Sequence, residues 1–302
     1  MKILVIGGTG HIGQHLVPML LELGYDVAVT ARGNRPMPET FKNVKYINCD
    51  CGKYESIKEL SENEKFDVVV DFPGMAGNAW RCFRDTASHI VACGSLWMWG
   101  NPKIVPTPEI EQSKCEFEGY EIRYNRIQQI IAEEKKYNAT FTAIMPPNIC
   151  GPGKIPLDTM GGRSIEVHRS NMRGETVYLP DGAEALISPC DASDLAQLFL
   201  LAIVHRDEAA GQIFNGGSGY ALTASEFVNT MANIYGVKLP IEYVSWEHYR
   251  EINPDKGAWW HFYSHMCPDI SKAKKLLGYT PKHKPEEALE RAVNWMRENK
   301  LL

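Results

Sequence analysis

Three glycines near the start of the chain have the spacing of a phosphate-binding turn. They are Gly7, Gly10 and Gly13 in the run GGTGHIG. The first permits a tight turn, the second leaves room for a pyrophosphate against the backbone, and the third lets the next helix pack closely. The phosphates are then bound by free N–H groups at the positive end of the helix dipole. The spacing predicts a dinucleotide site, and the alternative is an ordinary turn without a ligand.

The elements around this turn favour the dinucleotide site. A strand is predicted over residues 2–6 and a helix over 14–23, because apolar residues such as Leu16 and Leu20 recur at helical spacing. A second strand follows over 27–31. Strand, glycine turn, helix and strand are the order in which a dinucleotide-binding unit is built.

Further strands and helices alternate along the first half of the chain. Strands are predicted over 44–48, 66–71, 89–93 and 140–145, and helices over 54–61 and 122–137. This alternation predicts an α/β fold of the Rossmann type, a doubly wound parallel sheet with its ligand crevice at the carboxyl ends of the strands.

The regular alternation ends near residue 150. Glycines and prolines make 151–162 irregular, an apolar helix is predicted over 194–204, and a short strand over 212–215. We therefore predict a dinucleotide-binding Rossmann domain over 1–150, rejoined by 186–215. Residues 151–185 and 216–302 are expected to form a smaller C-terminal lobe that binds substrate and covers the crevice.

Composition excludes several classes of protein. The 302 residues carry a net charge of −5 without a basic stripe, which argues against a nucleic-acid partner. No apolar run reaches the ~20 residues of a membrane span, and the early first strand leaves no place for a signal peptide. The eight cysteines show neither C-x-x-C nor zinc spacing, so no metal site is expected. Free thiols suit a reducing, cytoplasmic location.

Several segments together resemble the extended short-chain dehydrogenase/reductase family, of the NAD-dependent epimerase/dehydratase type. Besides the glycine turn they are Ser95 with LWMWG after it, Tyr120, PPNICGPG at 146–153, DASDLA at 191–196 and DISKAKKLLGY at 269–279. The resemblance covers nearly the whole chain. It implies an NAD(P)-dependent oxidoreductase or epimerase/dehydratase that acts by hydride transfer on a secondary alcohol or ketone, such as that of a sugar or sugar-nucleotide derivative.

The resemblance assigns the chemistry to Ser95 and Tyr120, 25 residues apart. The tyrosine takes the proton from a substrate hydroxyl, and the serine hydroxyl holds the substrate oxygen. The family's lysine four residues after the tyrosine is Tyr124 here, which we count with Ser95 and Tyr120 as the third catalytic residue. Its phenol would contact the ribose, and the alternative is that it packs in the core. Without the charge of that lysine, forming the phenolate at pH 7 costs about 4 kcal/mol. Arg123 and Arg126 lie near the same turn, but their spacing is expected to aim them less directly at Tyr120.

Arg32 bears on the choice of cofactor. It follows the second strand, and Ala31 before it leaves no carboxylate to accept from the ribose of NAD. An arginine there favours NADP, with NAD as the other possibility, and Arg35 is a weaker second contact. The alternative is a solvated arginine at a strand end.

The resemblance implies further cofactor contacts. Asp50 would accept from the adenine amino group, although it could instead cap the next helix. Residues 72–74 would line the cofactor with their backbone. The full set expected at the cofactor is Gly7, Thr9, Gly10, His11, Ile12, Gly13, Arg32, Asp50, Cys51, Phe72, Pro73, Gly74, Pro146 and Asn148.

Other observations bear on the substrate and on whether the protein is an enzyme. Met145 and Ile187 stand where the family often has arginines, which disfavours a sugar nucleotide. Aromatic residues at 97–99 and 259–263 either pack or wall the pocket. The expected partners are a small-molecule substrate and, in a homodimer, a second copy of the chain. Because Tyr124 replaces the lysine, the alternative function is a non-catalytic NADP-binding sensor or scaffold.

Overall fold

A computed structural model describes residues 1–33, 38, 40–41, 44–74 and 77–302. Arg35, the second arginine expected at the cofactor, lies outside these residues. The strands are β1 Lys2–Ile6, β2 Asp26–Ala31, β3 Lys45–Asn48, β4 Val68–Asp71, β5 His89–Cys93, β6 Thr140–Met145, β7 Asn148–Cys150, β8 Val177–Pro180, β9 Leu186–Ile187, β10 Pro189–Asp191, β11 Gln212–Asn215, β12 Leu222–Thr223 and β13 Ile241–Val244.

Twelve α-helices accompany these strands within the described residues. They are α1 Gly13–Glu22, α2 Tyr54–Asn63, α3 Gly77–Phe83, α4 Glu118–Glu133, α5 Ile165–Met172, α6 Ala192–Val204, α7 Arg206–Ala209, α8 Ala224–Tyr235, α9 Trp246–Ile252, α10 Lys256–Tyr263, α11 Ser271–Leu277 and α12 Pro285–Glu298. Short 3₁₀ turns cover Leu96–Trp99 and Glu134–Lys136.

The centre of the protein is a seven-stranded sheet in the order β11-β6-β5-β4-β1-β2-β3. Every pairing in it is parallel. The chain runs from β1 outward through β2 and β3, then returns to the other side of β1 as β4. That reversal beside β1 is where a doubly wound sheet opens a crevice. The predicted fold class is confirmed.

Helices cover both faces of this sheet because each has one apolar side. On one face, α1 and α6 meet through Leu16, Leu20 and Phe199, all fully buried. On the other face, α2, α3 and α4 bury side chains that include Trp80 and Ile127. Burial of these side chains is the main force that holds the helices to the sheet.

A third apolar cluster lies in the C-terminal half. It is formed by α8 and α12, with Phe227, Met231 and Leu289 fully buried, and includes β8 and β9. Helix α11 behaves differently, because Ala273 and Leu277 join the core beneath the large sheet although they fall in the predicted lobe. The two-lobe division itself stays a prediction.

Among the helices beside the crevice, α3 and α4 differ most from the sequence-based expectation. Helix α4 was expected over 122–137 but begins at Glu118, whose carboxylate lies in the first turn and complements the helix dipole. It ends where the buried Glu134 side chain accepts a hydrogen bond from the Phe141 N–H at 2.7 Å. Tyr120 is therefore in the first turn of α4. Helix α3, over Gly77–Phe83, was not predicted.

None of the helices in the described part of the chain has the length and apolar character needed to cross a lipid bilayer.

Candidate active site

A crevice of about 560 Å³ opens at the carboxyl ends of the strands, around the glycine turn. Ten of the residues expected at the cofactor line it: Gly7, Thr9, Gly10, His11, Ile12, Arg32, Asp50, Cys51, Phe72 and Pro73. Sequence reasoning missed Thr30, Cys49, Cys93 and Ile149, which also line it. The first three lie at the ends of β2, β3 and β5, so the rule that ligands bind at strand ends could have found them.

The glycine turn is shaped for a close approach. A Cβ on Gly13 would lie 2.3 Å from the Gly8 carbonyl oxygen, so this position must be glycine for α1 to pack against the turn. Gly7 has a φ of +74°, which favours glycine. Within the described residues no side chain caps the N-terminus of α1. The Gln14 and His15 N–H groups donate to the Gly10 and Ile12 carbonyls, so the pyrophosphate of a dinucleotide would meet the N–H groups of the turn before them and the positive end of the helix dipole.

His11 joins the glycine turn to the segment after β7. Its Nε2 lies 3.2 Å from the Gly151 carbonyl oxygen, and within the described residues its buried Nδ1 has no hydrogen-bond partner. Burial lowers the pKa of His11 to about 3, so the imidazole is neutral at pH 7. His11 thus contributes no charge to bind an anion at this turn, where the attraction comes from backbone N–H groups and from the Arg163 and Lys154 charges that also act on His11.

The far end of the crevice carries Arg32 and Asp50. Arg32 is exposed, and no carboxylate in the described ranges forms an ion pair with it. One Asp50 oxygen accepts from the Gly52 N–H at 3.3 Å, and the other lies 3.9 Å from Lys53 Nζ. Asp50 thus stabilises its own turn while facing the crevice. Among the residues that the structure describes, Arg32 has no such partner.

The cysteines at this end are not built for metal binding. Cys51 Sγ lies 3.1 Å from Thr30 Oγ1, and burial raises the pKa of the Cys49 thiol to about 12. Both thiols are therefore protonated at neutral pH. Across the residues that the structure describes, no three His, Cys, Asp or Glu side chains are placed to hold a metal ion.

Ser95 and Tyr120 come together next to Cys93, at the β5 side of the crevice, although neither is among the residues that line it. Ser95 follows β5, where its Oγ accepts from the Trp97 N–H at 3.3 Å and caps the 3₁₀ turn. Tyr120 projects from the first turn of α4. Burial raises the pKa of Tyr120, while Arg123 and a side-chain hydrogen bond with Ser95 act in the opposite direction. A hydroxyl and a phenol thus face the same space.

Tyr124, the residue in the position of the family's lysine, is not part of this pair. Its ring packs edge-on against Trp99 with ring centroids 5.7 Å apart. Burial raises the pKa of Tyr124, and the charge of Glu111 raises it further. The groups that shift the pKa of Tyr120 do not include Tyr124.

Arg123 lies closer to Tyr120 than its spacing suggested. Its guanidinium carbon is 5.5 Å from the centroid of the Tyr120 ring. The expectation that its spacing aims Arg123 less directly at Tyr120 than a residue four positions on is therefore wrong, because residues three apart on a helix are surface neighbours and Tyr124 turns toward Trp99. Arg126 instead lies over α3, where a Cβ on Gly77 would meet its side chain.

An aromatic wall borders the Ser95–Tyr120 pair. Trp97 stacks on Phe117 with ring centroids 4.6 Å apart and planes 10° apart. His261 of α10 lies 5.0 Å from Trp97, and Trp260 lies 5.6 Å from Phe117. Burial lowers the pKa of His261 to about 4, so this wall is uncharged at its centre. The C-terminal half thus contributes directly to the surroundings of Tyr120.

Four of the expected cofactor contacts do not line the crevice and instead shape its walls. Gly13 packs α1, and a Cβ on Gly74 would lie 2.6 Å from the Cys93 carbonyl oxygen. The Pro146 carbonyl accepts from the Leu96 N–H at 3.0 Å. The buried Asn148 accepts from the Ser188 N–H at 3.1 Å. Their roles at a cofactor stay predictions.

The two positions that lack the family's arginines are packing positions. Met145 is fully buried at the end of β6, and its sulfur lies against Gly94. Ile187 is fully buried in β9, paired with Leu222. Neither position offers a cation to a diphosphate.

Similarity to known proteins extends over nearly the whole chain. UDP-arabinose 4-epimerase 1 of Arabidopsis thaliana is 23% identical over 98% of this chain and 79% of its own length. A putative UDP-glucose 4-epimerase of Methanocaldococcus jannaschii is 24% identical over 98% of this chain and 99% of its own. A crystal structure of UDP-glucose 4-epimerase with UDP-glucose from Thermotoga maritima superposes with a TM-score of 0.77, at 22% identity, over 99% of this chain and 100% of that one.

The model of one enzyme family matches well over half of the chain. This is the NAD dependent epimerase/dehydratase family, matched over residues 3–89 and 79–217. The match includes the glycine turn, Ser95, Tyr120 and all strands of the large sheet. It confirms the predicted family and, with it, an enzyme that acts by hydride transfer with a nicotinamide cofactor. The chain belongs to the NAD-dependent epimerase/dehydratase family.

Proposed function

We propose that this enzyme oxidises and reduces the secondary alcohol or ketone of a small substrate, with Tyr120 as the base. The observation that carries the proposal is the position of the Tyr120 phenol beside Ser95, at the end of β5 next to the crevice. Net oxidoreduction, epimerisation and dehydration all begin with this step. When bound, the nicotinamide accepts the hydride and can return it.

The other steps of the reaction are assigned to different residues. The Ser95 hydroxyl holds the substrate oxygen, and the Tyr120 oxygen takes the hydroxyl proton as the carbonyl forms. The wall of Trp97, Phe117 and His261 excludes water from this end of the crevice and carries no charge at its centre. Exclusion of water strengthens the electrostatic interactions that stabilise the phenolate.

The proposed substrate is a hydroxylated or keto compound. Positions 145 and 187 hold no arginine that could bind a diphosphate group of the substrate. Both positions hold fully buried apolar side chains. The related 4-epimerases named above act on UDP sugars, so a sugar derivative remains within the proposal. A sugar nucleotide would need other cations for its diphosphate.

NADP is the proposed cofactor. Support comes from exposed Arg32 at the edge of the crevice, which has no carboxylate partner in the described ranges, and from Ala31, which offers no carboxylate to a ribose. The predicted homodimer and cytoplasmic location remain part of the proposal. The eight free cysteines support a reducing compartment.

The test is a substrate screen with two readouts. Purified protein is incubated with NADP⁺ or NAD⁺ and a panel of secondary alcohols and polyols. Absorbance at 340 nm reports net oxidation, and proton NMR reports an epimerised or dehydrated product. Turnover that disappears in Tyr120→Phe supports the proposal.

The second candidate function is a cofactor-binding sensor without turnover. It is favoured because position 124 holds a tyrosine where the family has its lysine. It predicts tight cofactor binding by calorimetry and no product in either readout. That pair of results would reject the enzymatic proposal.

A further inference from the structure

Helix α4 places a cation one turn after the proposed base, at a position different from that of the family's lysine. The Arg123 guanidinium carbon lies 5.5 Å from the Tyr120 ring centroid. Residues three apart on a helix share a face, so both side chains project to the same side of α4. Tyr124, four residues after Tyr120, turns instead toward Trp99.

The same guanidinium reaches the wall of the crevice. A Cβ built on Gly74 would lie 3.8 Å from Arg123 Nη1 and 2.6 Å from the Cys93 carbonyl oxygen, so the guanidinium is next to Gly74 and Cys93. Burial and the Asp71 carboxylate raise the pKa of the Cys93 thiol, and the charge of Arg123 acts in the opposite direction. Cys93 lines the crevice at the end distant from Arg32. Arg123 is therefore close both to Tyr120 and to the Gly74–Cys93 wall of the crevice.

The charge of Arg123 is not shared with a carboxylate. In the part of the chain that the structure describes, no acidic side chain forms an ion pair with it. Other charged side chains on or near α4 do form ion pairs: Arg84 pairs with Glu133, and Glu121 pairs with Lys114. A half-buried arginine that forms no ion pair within the described ranges is available to a phenolate or to an anionic or hydroxylated ligand.

We propose that Arg123 supplies the positive charge at the base that a lysine supplies elsewhere in the family, by stabilising the phenolate of Tyr120. Arg123 is thus a positioning residue that acts through Tyr120. This inference rests on the proposed function for its consequence in turnover, but its electrostatic content is independent of any substrate.

The other charged and titratable groups around Tyr120 do not replace this cation. Cys93 of β5 and Cys115 of the preceding loop raise the pKa of Tyr120, in the same direction as burial. The ammonium of Lys256 lies over Phe117, at 5.3 Å from that ring centroid, and the pKa of His261 is lowered to about 4, which keeps it neutral. Because arginine stays charged over the whole working pH range, the effect of Arg123 is constant with pH.

The proposal is tested by measuring the pKa of Tyr120 in the intact protein. Tyrosine labelled with ¹³C at Cζ gives one NMR signal for each of the thirteen tyrosines. The signal that is missing from the spectrum of Tyr120→Phe is that of Tyr120. Arg123→Gln is expected to raise the pKa of Tyr120 by about one unit or more, since an opposite charge within ~4–6 Å typically lowers a pKa by 1–3 units. Arg123→Lys should restore part of that shift.

Arg126→Gln is the matched control, because it removes the same charge from the next turn of α4. It should leave the pKa of Tyr120 unchanged. Arg123→Met, which retains the aliphatic stem, replaces the glutamine variant if that one does not fold. An unchanged Tyr120 pKa in a folded, neutral Arg123 variant would overturn the proposal.

Turnover separates this inference from the proposed function. If both hold, Arg123→Gln moves the alkaline rise of kcat to higher pH, whereas Arg123→Lys moves it back. If Tyr120→Phe is fully active, the proposed function fails while the NMR titration still decides the role of Arg123. If Tyr120→Phe is inactive but the pKa of Tyr120 is the same in wild type and in Arg123→Gln, only the inference about Arg123 fails.

Discussion

The imidazole Nε2 of His11 lies 3.2 Å from the carbonyl oxygen of Gly151, so the glycine turn is held to the segment that follows β7. Gln14 reinforces this contact, because its Nε2 donates to the Pro152 carbonyl at 2.9 Å. The phosphate-binding turn and the entrance to the C-terminal half are therefore one connected surface. Changes in the 151–153 segment should affect both stability and cofactor affinity.

Gly153→Ala tests that connection. Gly153 has a φ of +101°, and a Cβ there would lie inside the amide group of Gln14, at 1.7 Å from its Nε2. We expect a larger loss of unfolding free energy than in Gly182→Ala, where φ is +66° but the added Cβ meets nothing within 4 Å. The left-handed strain alone is about 1–2 kcal/mol.

Urea unfolding and calorimetric titration with NADP measure both effects. Adding Gln14→Ala to Gly153→Ala should recover part of the stability, since it removes the clash at the cost of one hydrogen bond. Equal losses in Gly153→Ala and Gly182→Ala would contradict the account of this contact.

Gly10→Val is expected to abolish cofactor binding. Even a Cβ at Gly10 would lie 3.0 Å from the Gly7 carbonyl oxygen, and a branched side chain would fill the space for the pyrophosphate. Gly219→Val is the control, because a Cβ there meets nothing within 4 Å. Calorimetry with NADP and NAD measures the affinities. A Gly10→Val protein that binds as wild type does would place the cofactor elsewhere.

Arg32 is expected to select NADP over NAD. Loss of one charge-assisted contact to the 2′-phosphate costs about 1.5–3 kcal/mol, roughly tenfold to a hundredfold in affinity. Arg32→Ala should weaken NADP by that factor and leave NAD nearly unchanged. Arg206→Ala, an equal change of charge on α7, should alter neither affinity. A wild type that prefers NAD would reduce Arg32 to a surface residue.

Acid should destabilise the fold through buried histidines such as His89. Burial lowers the pKa of His89 to about 4, from 6.5 in the unfolded chain. Between about pH 6.5 and 4 the unfolded chain therefore binds more protons, so the free energy of unfolding falls as pH falls. His89→Asn removes the titration while an amide can retain the bond to Thr140 Oγ1, which is 2.8 Å long in wild type.

The free energy of unfolding should therefore depend less on pH in His89→Asn. Urea unfolding at pH 7.0 and 4.5 should show a loss on acidification that is smaller than in wild type by about 2 kcal/mol. The same loss in both proteins would show that His89 already titrates normally in the fold.

The sheet and the cofactor end of the crevice could be predicted because their signals are local. A short apolar run predicts a strand such as Lys2–Ile6, and the spacing of three glycines predicts the glycine turn. The start of α4 was placed four residues late, because Glu118 and Gly119 look like loop residues until their place in the first turn is known.

The end of the crevice around Tyr120 could be predicted only in part. The family resemblance, with its 25-residue separation, pairs Ser95 with Tyr120, and the structure places the two side chains beside each other, while their catalytic roles stay predictions. The side to which Tyr124 turns depends on Trp99, and the aromatic wall depends on α10, 140 residues further along. Such contacts depend on tertiary packing, which no local pattern reports.

The central claim is that Tyr120 is the base for hydride transfer, and Tyr120→Phe tests it most directly. On a substrate found active, kcat should fall at least about a hundredfold, because general-base catalysis typically supplies ~10²–10⁴. The affinity for NADP should be unchanged. Since the pKa of Tyr120 is raised, wild-type alcohol oxidation should keep rising above pH 8. Full turnover in Tyr120→Phe, with the same pH profile as wild type, would contradict the account.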